Sequence, residues 1–183
     1  MITIMQMDLS SLFASARAAR FAPGAPLFAT NGPIHEIFMV QVGAVQLVRH
    51  TSTGTRLILQ TAGPGDILAE ASAYSERYHC DAVAVEAAEV AALPRARFLS
   101  ALDETPALAA AWATRLAHGM QAARLRAEIR TLPRLADRLT AWLDAGNALP
   151  ARGRWQDVAA ELGVTREALY RELARRRTNQ TGI

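Results

Sequence analysis

WQDVAAELGVTREALYRELARRR, Trp155 to Arg177, reads as two helices meeting at a glycine. A first helix over Trp155–Leu162 stops at Gly163, whose missing side chain permits a left-handed turn, and Thr165 then caps a second helix that starts at Arg166. Ala159 lies four residues before the glycine, where a small residue lets two helices cross closely. Val164, Leu169 and Leu173 can close the small core between them. The outward face of the second helix carries Arg166, Glu167, Tyr170 and Arg171, long polar side chains suited to reading base edges in the major groove of double-stranded DNA. Arg175, Arg176 and Arg177 follow and are expected to act on phosphates. An ordinary helical hairpin with a solvated charged face is the alternative. The coincidence of turn, cap, small residue and basic face favours DNA binding.

Charge is segregated in the same sense. All 20 basic residues are arginine; residues 1–123 hold 8 Arg against 10 Asp and Glu, and residues 124–183 hold 12 Arg against 7. A coding bias would explain arginine replacing lysine but not its concentration in the last third, which suits a polyanionic partner.

Upstream, Pro133 stands where a helix can begin, with Leu135, Leu139, Trp142 and Leu143 as its buried face and Gly146 as its end. Before that, Leu108, Trp112, Leu116, Met120, Ala123 and Ala127 recur at spacings of four or three on a stretch interrupted by no proline and by Gly119 alone. This predicts one long amphipathic helix. Its small-residue stripe favours close approach of a second copy, giving a homodimer. The competing reading packs the stripe on the chain's own N-terminal domain.

From Phe21 to Pro94 the pattern is different. Short apolar runs alternate with Gly24, Gly32, Gly43, Gly54, Gly63 and Gly65, and Phe38, Val40 and Val42 alternate with period two. Turn residues at such intervals serve short antiparallel strands, so a sandwich or roll is expected here. The fold class is α+β: a β-roll domain over residues 1–103, a long dimerisation helix over 104–131 and a helix-turn-helix domain over 132–183.

At 183 residues, 51% of them hydrophobic, the chain can bury one full core and a second small one. The lone cysteine, Cys80, rules out an internal disulfide and any four-thiolate metal site. No basic residue precedes the short apolar run of the N-terminus, and no run reaches the roughly 18 apolar residues that signal a spanning helix. A cytoplasmic protein without membrane insertion is expected.

Taken together, the chain resembles the bacterial Crp/Fnr family of transcription regulators. FAPGAPLFATNG followed by IFMVQVGAVQLVRH, GPGDILAEAS at Gly63 to Ser72, the proline, arginine and phenylalanine of PRARFL, and GVTREALYREL carry the resemblance over about Phe21 to Arg177. It implies a β-roll sensor domain, a dimerisation helix and a DNA-binding domain acting on an inverted-repeat site, with RNA polymerase as a further partner. It also implies base contacts from an arginine-glutamate pair and a second arginine, which fall here on Arg166, Glu167 and Arg171. Members of the family usually add a β-hairpin wing after the recognition helix; only TNQTGI follows Arg177, so no complete wing is expected.

The resemblance bears on AYSERYHC, Ala73 to Cys80. In cyclic-nucleotide-binding members a glycine-glutamate pair holds the ribose and an arginine-serine pair holds the cyclic phosphate. Counting forward from Gly65-Asp66 places the first pair at Ala69-Glu70, and counting back from the last strand places the second at Tyr78-His79. Glu70 is kept and the arginine is not, with Arg77 one step out of register. A cyclic phosphate needs a cation, so an effector other than a cyclic nucleotide is expected. Glu70, Arg77, Tyr78, His79 and Cys80 are the effector-pocket candidates, and no cofactor can be named.

On a strand His79 and Cys80 point to opposite faces, which suits a buried core cysteine better than a chelate. A metal, haem or thiol-redox role for the pair, with help from Met39, His35, His50 or His118, is the alternative. No metal ligand set stands out. A cupin-type metalloenzyme would want closely spaced histidines and a glutamate, a spacing the four histidines lack, and no catalytic constellation is visible, so no enzymatic activity is expected. A protein-interaction module retaining a degenerate helix-turn-helix is the remaining competitor.

Overall fold

A computed structural model describes residues 8–54 and 56–180. The chain forms a mixed α/β structure with antiparallel sheets, and by compactness it divides into two units, one made of the chain up to Gly54 with Leu59–His118, the other of Thr55–Ile58 with the chain from Gly119 onward.

The strands are β1 (Arg17–Phe21), β2 (Pro26–Phe28), β3 (Glu36–Val42), β4 (Val45–His50), β5 (Arg56–Ala62), whose first residues fall in the second unit, β6 (Asp81–Ala84) and β7 (Ala88–Pro94). They form one sheet in the order β1-β7-β3 and another in the order β2-β6-β4-β5. β7 can sit between two neighbours because its AEVAALP sequence is small and apolar: Ala88, Val90, Ala91, Ala92 and Leu93 are all buried. In register, Ala92 faces Arg17 on one side and Phe38 on the other.

The period-two pattern expected of Phe38, Val40 and Val42 is not kept in β3, where Ile37, Phe38, Met39 and Val40 are all buried and Gln41 and Val42 exposed. The β3–β7 register shifts between Val40 and Val42, and this bulge turns Val42 outward to 58% exposure while Phe38 and Val40 stay buried.

Helices α1 (Arg95–Glu104) and α2 (Pro106–Thr131) follow the last strand. Phe98 of α1 packs edge-on against Trp112 of α2, ring centroids 4.9 Å apart, and against Phe13, 6.2 Å away. The residues expected at a dimer interface divide in burial within the single chain. Leu108 and Trp112, 1% and 2% exposed, belong to the core of the first unit, and Leu116 packs partly against that same core. The stripe that was to meet a second copy is therefore spent at its N-terminal end on the chain's own roll. Its continuation is not: Met120 is 51% and Leu125 43% exposed, and Ala123 and Ala127 are exposed too.

In the second unit α3 (Leu135–Asp144), α4 (Trp155–Leu162) and α5 (Arg166–Gln180) enclose a core of Leu139, Trp142, Val158, Ala159, Leu162, Leu169 and Leu173, with Ile129 of α2. α3 begins two residues later than Pro133 suggests; Arg134 is extended, and the first helical turn starts behind it. α5 is continuous to Gln180, the last described residue.

Gly43 shows how closely the roll is packed. Its φ is +80°, and a methyl there would overlap the Ala87 carbonyl oxygen and the Ala88 backbone, whereas Gly24, at φ +82°, has open space around it. Alanine at either position carries the left-handed penalty of about 1–2 kcal/mol. Gly43→Ala should therefore lower the unfolding midpoint well beyond Gly24→Ala, and equal shifts in thermal denaturation would show that the β3–β4 turn has room to relax.

Candidate functional site

The second unit presents α5 through a tightly bonded turn. Gly163, at φ +67°, donates to the Ala160 carbonyl, and Val164 donates to the Ala159 carbonyl at 2.9 Å, the paired bonds that close a helix end on a left-handed residue. Arg138 of α3 adds a donor to the Leu162 carbonyl at 3.2 Å. Two residues on, the Thr165 hydroxyl accepts from the Ala168 amide at 3.2 Å and caps α5. Ala159, 2% exposed, sits beneath the crossing as its size requires.

The side chains singled out on α5 then divide. Arg166, Glu167 and Arg171 are exposed, and among the described residues they make no hydrogen bond or ion pair. Tyr170 does not join them. It is half-buried, its ring 5.0 Å from that of Trp155, and the Arg166 guanidinium carbon lies over the Tyr170 ring, 5.2 Å from its centroid. Arg177 lies 5.5 Å from the Trp155 centroid.

Arg175 and Arg176 are less available for phosphates than their sequence suggests. Both bond Glu172, at 2.8 and 2.9 Å. Hydrogen bonding from Arg175, with Arg176 and both charges adding to it against the cost of burial, holds the Glu172 carboxyl below the usual range. Arg176 also donates to the Ala136 carbonyl and to Thr140, at 2.6 and 2.7 Å, so it ties α5 to α3. Arg175 keeps 58% of its side chain in solvent.

In the first unit the effector-pocket candidates do not converge. Tyr78 is buried with its ring stacked 3.8 Å from that of Phe28, and its hydroxyl donates to the Glu36 carbonyl at 3.0 Å. It belongs to the core of the roll. Arg77 is exposed and donates to the Asn31 carbonyl at 2.7 Å. His79 is exposed, and its backbone carbonyl accepts from the Arg49 guanidinium at 2.8 Å. Cys80 is fully buried. Tyr78, Cys80, Ala82 and Ala84 are buried and His79 is exposed, with the regular strand β6 beginning at Asp81. Among the described residues no three His, Cys, Asp or Glu side chains gather as a metal site.

Glu70 has a different partner from any the sequence suggested. Arg115 of α2 reaches both Asp66 and Glu70, each at 3.3 Å, so the acidic pair already holds a cation from within the chain. Ala69, just before Glu70, has φ +51°, a conformation that glycine would adopt freely. Ser72 Oγ, Trp112 Nε1 and Arg115 Nε are buried without hydrogen-bond partners among the described residues. Arg115 was legible in principle, as a charged residue on a helical stretch otherwise aimed at a core. Trp155 was read as the start of a helix, and its aromatic contact with Tyr170 needed the helix crossing to appear.

The chain is similar in sequence and fold to known proteins. Residues 18–105 match the cyclic nucleotide-binding domain family. The chain is 28% identical to the cyclic AMP receptor protein of Thermus thermophilus over 173 residues, covering 92% of this chain and 79% of the relative. Its fold is shared with FixK2 of Bradyrhizobium japonicum, at TM-score 0.78, 21% identity and 90% and 86% coverage of the two chains. It is also shared with the c-di-GMP responsive global regulator CLP of Xanthomonas campestris, at TM-score 0.75, 18% identity and 94% and 91% coverage. No described helix is long and apolar enough to cross a membrane.

Burial of Cys80 has a measurable pH signature. Desolvation, against a smaller opposing pull from Arg49, pushes its thiol up to about 11 from 9.0. The folded chain thus keeps a proton that the unfolded chain releases, so the associated stability is complete below pH of about 9 and is lost as pH rises toward about 11. Cys80→Ala should cost about 1 kcal/mol near neutrality through a small cavity, and should flatten the alkaline loss of stability in this window. Prompt reaction of the native thiol with a labelling reagent at neutral pH would contradict its burial.

Proposed function

We propose, on the premise that the chain belongs to the Crp/Fnr family of transcription regulators, that it is a sequence-specific DNA-binding regulator acting as a homodimer on an inverted-repeat site. The observation that carries this reading is the trio Arg166, Glu167 and Arg171, exposed at the capped N-terminal end of α5 and, among the described residues, without a hydrogen bond or ion pair. Each arginine can donate two hydrogen bonds to guanine O6 and N7, and the carboxylate can accept from cytosine N4. Arg175 and Arg177 serve phosphates, whereas Arg176 serves α3.

A homodimer is supported by the C-terminal part of α2. Every residue from 117 to 125 is exposed, including Met120, Ala123 and Leu125. A helix with large apolar side chains in water calls for a partner, and a second copy of the same stretch supplies a self-complementary one. This interface starts after Leu116, because Leu108 and Trp112 are already committed to the roll. Residues 8–54 and 59–118 then form the sensor side, and residues 119–180 the DNA-binding side.

The named relatives include a cyclic AMP receptor and a c-di-GMP responsive regulator, but the residues here favour a different effector. Tyr78 and His79 offer no cation to a cyclic phosphate, Arg77 is engaged with Asn31, and Arg115 occupies Glu70. Burying a cyclic phosphate without a cation would be costly.

Ala123→Glu and Met120→Glu should shift the chain to monomers in sedimentation at micromolar concentration and abolish binding to an inverted repeat, since both half-sites must be engaged together. A wild-type chain that is already monomeric would overturn the dimer. Cyclic AMP and cyclic GMP should leave the melting temperature unchanged. A ligand present at a hundred times its dissociation constant would add about 2.7 kcal/mol, so a clear upward shift would overturn the effector reading.

A further inference from the structure

Trp155, Tyr170 and the two arginines beside them form a column that base reading by the exposed trio does not itself require. Arg166 and Tyr170 stand one turn apart on α5, so their side chains share a face of the helix. Trp155, at the start of α4, packs its ring 5.0 Å from Tyr170 at an interplanar angle of 59°, and its indole N–H donates to the Pro150 carbonyl at 3.0 Å. The indole is thereby held at two places, by its ring contact and by its hydrogen bond. Arg166, the first residue of α5, lies with its guanidinium carbon 5.2 Å from the Tyr170 centroid. That is its one described contact of this kind, for it makes no hydrogen bond or ion pair among the described residues.

An unbraced arginine at the surface samples many rotamers, and each bidentate contact with a base must first freeze them. A cation over an aromatic face is held without using its N–H donors, so the whole fork stays free to bond a base. Arg171, one residue past Tyr170, has no such brace, and Glu167 has none either.

We propose that Tyr170, braced by Trp155, is a positioning residue that aims Arg166 and so sets how strongly this regulator discriminates at the base pair Arg166 reads. The ring contributes no base contact. Its role is to select the rotamer from which the guanidinium reaches guanine. This rests on the DNA-binding reading above and adds a specificity determinant to it.

Removing the ring should therefore weaken discrimination at one base pair and spare the others. Tyr170→Leu keeps an apolar side chain against Trp155 but has no aromatic face, and Tyr170→Phe keeps the face. The chain is titrated against its selected duplex and against single-base variants, with the pair read by Arg166 defined as the one where Arg166→Ala loses preference. Tyr170→Leu should reduce preference at that pair by about three- to ten-fold, within the range set by exposed to partly desolvated cation–π contacts. It should leave preference at the Arg171 pair and the slope of affinity against salt unchanged. Tyr170→Phe should restore the wild-type preference, and Tyr170→Leu added to Arg166→Ala should change nothing further. Undiminished preference at the Arg166 pair in a Tyr170→Leu chain of native melting temperature would overturn the proposal, as would a uniform loss at every pair. Additive losses in the double variant would overturn it too. A wild-type chain that selects no duplex would overturn the DNA-binding reading itself, and the positioning role with it.

Discussion

The pair of hydrogen bonds that closes α4 onto Gly163 is the constraint on which the candidate interface depends. Because Gly163 can hold φ +67°, the chain reverses within the three residues that separate α4 from α5, the last of which, Thr165, caps the next helix. Ala159 lets the two helices cross closely, Leu162, Leu169 and Leu173 bury themselves beneath, and Arg138 clamps the end of α4 from α3. With the inward face fully used, Arg166, Glu167 and Arg171 are left in water. The same crossing brings Trp155 to Tyr170. A β-carbon at residue 163 would meet no closer neighbour than Arg138 at 4.0 Å, so the demand for glycine there is conformational and not steric.

α2 divides its work along its length in a way that follows from composition. Its first turns carry Leu108 and Trp112, bulky enough to fill the roll against Phe98. From residue 117 to 125 it carries alanine, arginine, Met120 and Leu125, all exposed in a lone chain, before Ile129 joins the second core. Between these two stretches sits Arg115, bonded to Asp66 and Glu70. A half-exposed ion pair of this kind contributes little to stability by itself. Its consequence is chemical, because the carboxylate that the family resemblance assigns to a ribose is here neutralised by the chain's own guanidinium.

Much of this was legible in the sequence, and the exceptions have physical causes. The rhythm of glycines announced the short strands, and Gly163, Thr165 and Ala159 announced the α4–α5 turn. These are local rules, settled by residues within a few positions of one another. Burial of Cys80 beside an outward His79 also followed from period two alone. What the sequence left open depended on contacts distant in the chain. The stripe from Leu108 to Ala127 looks uniform in spacing, yet only the roll's position decides where own-core packing stops. Val42 fits the period-two spacing in sequence, yet it is exposed at the register shift that follows Val40. Tyr170 and Arg176 look like their polar neighbours on a helical projection, and only Trp155 and the Ala136 carbonyl distinguish them.

The central claim is that the exposed N-terminal end of α5, presented twice by a dimer, reads DNA sequence. Selection of bound duplexes from a random pool, run in parallel with wild-type chain and with Arg171→Ala, tests it most directly. The account predicts that the wild type enriches two inverted half-sites about one helical turn apart, and that Arg171→Ala relaxes the enrichment at one symmetry-related pair of positions, at a cost of about 1–3 kcal/mol per contact. Recovery of no enriched sequence by the wild type, or of an identical site by Arg171→Ala, would contradict it.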